Sequence, residues 1–385
     1  MLAAKGFRPF FLLAGAFAAL ALPVWMLTLA GVLGAAGPGY LSPMTWHAHE
    51  MLFGFSIAVV AGFLLTAVSN WTGRETLVGT PLLAACALWT LGRAAMALAP
   101  SLPRGVPALA DLAFLPMLAL VLAKPLAATG SRRNFGMVAA LVVMWLANVA
   151  IHLDALGVLP GASQRALAVA LDVVVLLMIA MTGRVVPMFT KNATGVSSVR
   201  PRPGLDIAAL AAMAVTTVLD ATTMDPRLAG TAALATGVLV ALRSSTWGTR
   251  HTAHTPMLWI LHAGHAWMAF GLALRGAAAF TSSVPAVIAT HALTVGAIGC
   301  LTLGMMSRVA LGHTGRPLIS SRPVDVSFWL ITAAALVRVV GPLVDAAAYR
   351  SWVFGSGLLW TAAFAVFVFM HAPVLTAARV DGKPG

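Results

Sequence analysis

The chain has 385 residues, 60% of them hydrophobic and 9% charged, with a formal net charge of +13. Apolar runs of 18 or more residues recur from end to end, more than a water-soluble core can absorb, and each is long enough to cross a bilayer as a helix. Only closed backbone structures span lipid, and continuous apolar runs without two-residue alternation exclude a barrel. The expected fold class is therefore all-α, a polytopic transmembrane helical bundle.

In chain order the predicted spans are 9–33, 44–69, 79–98, 106–124, 135–153, 165–187, 205–221, 228–243, 256–276, 285–309, 325–344 and 351–374, about twelve in all. Lys5 and Arg8 precede the first as in a signal peptide. Its apolar run is too long for a typical h-region, however, and further spans follow directly, so it reads as span one. With the amino terminus inside, 17 of the 24 Lys and Arg residues fall on the inner side, the bias of cytoplasmic loops. The basicity is thus topology rather than nucleic-acid binding, and both termini are expected in the cytoplasm. The connections leave no room for a soluble domain. Residues 1–385 read as one integral membrane domain, and the basic 187–204 loop offers a division into halves 1–190 and 200–385. Cys86 and Cys300 fall inside spans and form no disulfide framework.

Ionisable groups inside a bilayer are costly and are functional candidates by default. Span two opens with Ser42-Pro43, a capping oxygen followed by a first-turn proline. It then carries His47, His49 and Glu50 in "MTWHAHEMLFGF", at its outer end. Two helical residues two apart point about 200° from each other, so His47 and His49 cannot share one metal unless the backbone unwinds. Helical spacing groups His47 with Glu50 and Met51, and His49 with Phe53 and Ser56. "SNWTGRE", with Asn70, Trp71 and Arg74, closes the same span at the inner face. His152 ends span five on the outer side. In span nine His262 and His265, three apart, lie on one stripe near the inner face. Span ten holds His291 about two turns below its outer end. His313 follows 22 positions later, roughly 33 Å along an ideal helix, and so belongs to the opposite face.

The histidines therefore sort into an outer set (His47, His49, His291, with His152 beside them) and an inner set (His262, His265, His313). Arg184, Arg308 and Arg316 lie at the inner depth. Neutral imidazole is a common ligand for iron, copper and zinc, and facing histidines on separate helices are what a metal site in a bundle needs. A lone buried histidine is most often a hydrogen-bonded packing residue, and Glu50 could act by orienting a histidine. The weight comes from several imidazoles at matched depth. His251, His254 and His371 read as interfacial.

"GFRPFFLLAG" at the start, "WHAHEMLFGFSIAVVAGFLLTAVSNWTGRETLVG" in span two, "GRVVPMFTKNA" at the end of span six and "HALTVGAIGCLTLGMMSRVALGHTGRPL" in span ten resemble the NnrS family. The resemblance extends over nearly the whole chain. It implies a twelve-helix protein of the bacterial inner membrane, containing b-type haem and copper and belonging to the nitric oxide response of denitrifying and related bacteria. The positions that match are His47, His49, Glu50, Asn70, Trp71, Arg184, His262, His291, His313 and Arg316. The family is not expected to keep a histidine at 265.

Geometry and resemblance together lead to one expectation. His47, His49 and His291 form an outer haem or haem–copper site, and His262 and His313 form or support an inner one, with arginines available to haem propionates or a small anion. Nitric oxide, small and lipid-soluble, could reach such a metal without a hydrophilic channel. The residues do not choose among binding, sensing and reduction. The competing reading is a secondary transporter, a metal-ion or small-anion permease with a histidine-lined path. It would need midplane acidic or polar groups, and Asp111 and Asp172, each only a turn or two inside a helix end, are the best of a thin set.

Overall fold

The computed structural model describes residues 1–33, 40–223 and 225–383 and contains, among these, helices and no strand. Twelve long helices follow the predicted spans closely: α1 Phe7–Leu29, α2 Pro43–Thr72, α3 Thr80–Ala97, α4 Gly105–Ala128, α5 Phe135–Ala155, α6 Ala162–Thr194, α7 Pro203–Thr222, α8 Pro226–Ser244, α9 Pro256–Ala278, α10 Ala286–Gly312, α11 Arg322–Val344 and α12 Tyr349–Thr376. All but α8 are both long and apolar enough to cross a membrane. In lipid every backbone polar group must find its partner internally, which is why the apolar runs become helices with short connections.

The boundaries follow local chemistry. Ser42 caps α2, its Oγ accepting from the Thr45 amide at 3.2 Å, and Pro43 takes the first turn. Gly73, with φ +66°, ends the same helix in the left-handed region. Asp225 caps α8 by accepting from the Arg227 amide at 2.8 Å. Cys86 and Cys300 are buried and free.

Contacts divide the chain into two units. The first comprises Met1–Val173, Val309–Pro317 and Val368–Gly385, and the second Val174–Arg308 and Leu318–Phe367. In the first, α1 packs on α2, and the Phe7 amide donates to Thr66 Oγ1 at 3.1 Å. Arg8 is fully buried and donates through Nη1 to the carbonyls of Leu375 and Ala377, at 2.9 and 2.6 Å. A cation on the orphan carbonyls at the end of α12 is a helix cap as well as a topology signal.

In the second unit Arg243 ties three helices together. It donates to the Ile179 carbonyl at 2.9 Å, to Thr182 Oγ1 at 2.6 Å and to Asp206 Oδ1 at 3.3 Å. Helices α8 and α9 run against each other at very short range. A Cβ on Gly276 would stand 2.6 Å from Leu234 Cβ and 3.0 Å from the Gly230 carbonyl. Gly276→Leu is therefore expected to destabilise by about 1–3 kcal/mol through overpacking. Thermal denaturation in detergent checks it; a wild-type midpoint would mean that α8 and α9 are not in such contact.

Two helices depart from α geometry. Glu50–Ser56 in α2 and Ala292–Gly299 in α10 are π-helical. Each stretch begins at the residue directly after a histidine, His49 in one case and His291 in the other. Such wide turns are frequent at functional sites.

Candidate metal centre

The first unit gathers five ionisable side chains and their partners at one end of its helices. His49 and Glu50 come from the start of α2, Arg93 from the end of α3, Asp111 from the first turns of α4, and Asn148 and His152 from the end of α5. All six are buried.

The bonds form a closed network. His49 Nδ1 lies 2.9 Å from Glu50 Oε1. His49 Nε2 lies 2.9 Å from Asn148 Oδ1 and 3.2 Å from Asp111 Oδ2. Asn148 Nδ2 donates to Asp111 Oδ2 at 2.6 Å, which fixes its carbonyl toward His49. Arg93 bridges the two acids, donating through Nη1 to Glu50 Oε1 at 2.6 Å and pairing through Nη2 with Asp111 Oδ1. His152 Nε2 stands 3.0 Å from Asp111 Oδ2, and Tyr40 Oη 2.9 Å from His152 Nδ1. Burial pushes the Tyr40 phenol up to about 12, so its hydroxyl keeps its proton and can donate to that nitrogen. The π-helical stretch contributes room: a Cβ on Gly54 would stand 3.2 Å from Arg93 Cδ, and the Gly54 carbonyl accepts from Trp89 Nε1 at 3.2 Å.

Both nitrogens of His49 face acceptor oxygens, the arrangement that a doubly protonated ring satisfies. With that proton, His49 and Arg93 together balance the charges of Glu50 and Asp111. Unbalanced charges are very costly in a buried site, so neutrality is the physical logic of the cluster.

The same groups suit a metal. One ligand atom each from His49, Asp111 and His152 lies within 4.8 Å of the others, which makes a buried set of two imidazoles and one carboxylate. The adjoining cavity, walled by Arg93, Asp111 and Asn148, measures 10 Å³. That is about one water-sized sphere. That cavity is lined by neither His49 nor His152, and the cluster itself is joined by contacts of 2.6 to 3.2 Å, too close-set for a porphyrin. A monovalent ion in place of the His49 proton would leave the cluster neutral.

The other predicted residues fall as follows. His47 stacks on Trp25, ring centroids 4.1 Å apart, so the two histidines of "WHAHE" have separate surroundings, as the 200° rule requires. The Phe53 ring stands 4.9 Å from that of His49, also as expected. Glu50 differs: spacing placed it with His47, but it bonds His49. The partners across the bundle decide it: the same Glu50 oxygen accepts from Arg93 Nη1 on α3, which draws the long side chain round to the His49 side.

His291 belongs to the second unit, where its Nδ1 lies 2.7 Å from the Val287 carbonyl and its Nε2 3.3 Å from Arg338 Nη2. His262, also in the second unit, is held on both sides, by Thr190 Oγ1 and Thr249 Oγ1, each at 2.9 Å. His313 belongs to the first unit, its ring 5.5 Å from that of Phe7. Burial, helped by the charges of Arg379 and Lys5, pushes its imidazole below the ordinary value, which keeps the ring neutral near pH 7. Arg184 on α6 is half-buried, as are Trp71 and Arg316, and Asn70 is exposed at the end of α2. His371, read as interfacial, is buried.

Sequence spacing points to neither Arg93 nor Asn148, and to Asp111 only as an acidic group of a transport path. The signal that marks them is plain: each is a polar group near one end of an apolar span, and Asn148 and His152 are four apart on one face.

The family model described as "NnrS protein" matches residues 1–379. No curated protein matches the chain.

Proposed function

Since the chain belongs to the NnrS family, we propose that it is a metal-binding protein of the bacterial inner membrane, both termini cytoplasmic, that acts in the nitric oxide response. One observation carries the reading: the buried convergence of His49, Asp111 and His152. These three would hold an ion, with copper favoured by the imidazole donors and by the charge balance of a monovalent cation. Such an ion, when bound, supplies a site at which nitric oxide can coordinate and exchange an electron.

The rest of the chemistry belongs to the chain. Glu50 orients His49 through the nitrogen that faces away from Asp111, as outer carboxylates do for ligating imidazoles. Arg93 bridges the two acids and keeps their oxygens in place. Tyr40 holds the far nitrogen of His152. Nitric oxide, being uncharged, reaches the cluster through apolar surroundings.

A haem of b type belongs elsewhere in this proposal, because the cluster is too tight for it. Its candidate residues are, in the first unit, His47 and His313 with Arg316, Asn70 and Trp71, and, in the second, His291 and His262 with Arg184.

Purified protein from haem- and copper-replete cells tests this through its visible spectrum and metal content. A Soret band that shifts with nitric oxide is expected, and His47→Ala or His291→Ala should alter it. If both variants keep the wild-type band, the haem assignment of these two residues is wrong. A colourless and metal-free preparation would favour the permease.

A further inference from the structure

The second unit holds a groove of 430 Å³ between α8 and α9. It exists because the facing side chains are small: Gly237 and Ala241 on α8 stand opposite Ala266, Ala269 and Ala273 on α9. From His262 to Ala273 it extends roughly 16 Å along the helix. Its two ends differ. Ser244, Thr249, His262 and His265 make the end near the 245–255 connection polar, and Val238 and Phe270 make the rest apolar and outward-facing.

One polar atom in this wall is unused. His265 is 2% exposed, and its Nδ1 has no hydrogen-bond partner. Its Nε2 lies 3.0 Å from the Val240 carbonyl, which can only accept, so Nε2 carries the proton and Nδ1 presents a lone pair. The ring cannot turn freely, because Trp247 packs on it with centroids 4.4 Å apart. His262 differs in kind. Thr190 Oγ1 already donates to the Val186 carbonyl and so accepts from His262 Nε2, leaving Nδ1 to accept from Thr249. Both of its nitrogens are used. A buried acceptor without a donor is costly, and such a group calls for an explanation.

We infer that this groove binds a lipid-soluble hydroxylated ring of the quinol class, one hydroxyl donating to His265 Nδ1 and the apolar body lying along α8 and α9. Three features select that occupant. The lone pair demands a donor, which an oxidised quinone lacks. The apolar, outward-facing walls suit a molecule that arrives through the bilayer. No Lys or Arg lines the groove, so a phospholipid phosphate would find no cation there. The site goes beyond the metal reading and does not depend on it, since binding is measurable in metal-free protein.

The test uses the full-length protein in phosphatidylcholine nanodiscs, titrated calorimetrically with decylubiquinol and with decylubiquinone. The quinol is expected to bind at one site, with the quinone weaker by about tenfold or more, the worth of one buried hydrogen bond. His265→Phe should remove that preference, and His265→Asn, which keeps an acceptor oxygen, should restore part of it with an unchanged melting temperature. Equal binding of quinone and quinol by the wild type overturns the proposal whatever the variants do. So does phosphatidylethanolamine retained in native mass spectra and lost in His265→Phe, which would make the occupant a lipid. A Soret band lost in the same variant would make it a haem.

Discussion

Replacing Arg93 by methionine is expected to destabilise the protein by about 3–5 kcal/mol, the usual cost of removing one partner from a buried ion pair. The guanidinium is the shared counter-charge of Glu50 and Asp111, which come from two helices and have almost no contact with solvent. Without it the two carboxylates face each other across His49 with one proton between them. The loss should appear as a lower melting temperature in detergent and less protein in the membrane fraction. Neutralising the acids as well, in Arg93→Met/Glu50→Gln/Asp111→Asn, should recover most of it, because buried ion pairs contribute little over well-packed neutral groups. Wild-type stability in Arg93→Met alone would show that the network is not buried as described.

The second large effect concerns metal. Copper bound per polypeptide should be close to one in wild-type protein and fall to about a tenth or less in His49→Ala and His152→Ala, since each removes a ligand of a three-donor set. Glu50→Gln keeps the ligands and loosens only the support of His49, so its affinity should drop by about 10–100-fold. Mass spectrometry of the metal and competition with a chelator measure both. Should Glu50→Gln bind like the wild type while His49→Ala binds nothing, the carboxylate has no part in holding the ring. Full occupancy in both histidine variants would move the metal away from this cluster.

Much of the architecture is readable in the sequence. Unbroken apolar runs between Pro-, Gly- and Ser-rich connections leave helices as the only option, and Ser42-Pro43 marks the start of α2 where the Oγ cap is found. The place of each histidine along its helix is legible too, because residue count along a helix is a ruler. Azimuth is not. Whether Glu50 meets His47 or His49 depends on Arg93, which reaches the same oxygen from another helix. Partners across helices were also hidden: Arg93, Asp111 and Asn148 meet His49 from three different spans, and spacing within one segment says nothing about which segments adjoin. Counting only histidines obscured the acids and the amide that complete the cluster. His265 shows the converse. Its interest lies in a nitrogen without a partner, a property of surroundings that sequence does not contain.

The wide turns in α2 and α10 mark where the 3.6-residue period stops being a guide along these helices. A π turn takes more residues than an α turn, so side chains before and after each stretch share a face at a different spacing. His49 and His291 each stand directly before such a stretch, and the alignment of either imidazole with the apolar remainder of its helix is set by the length of that stretch.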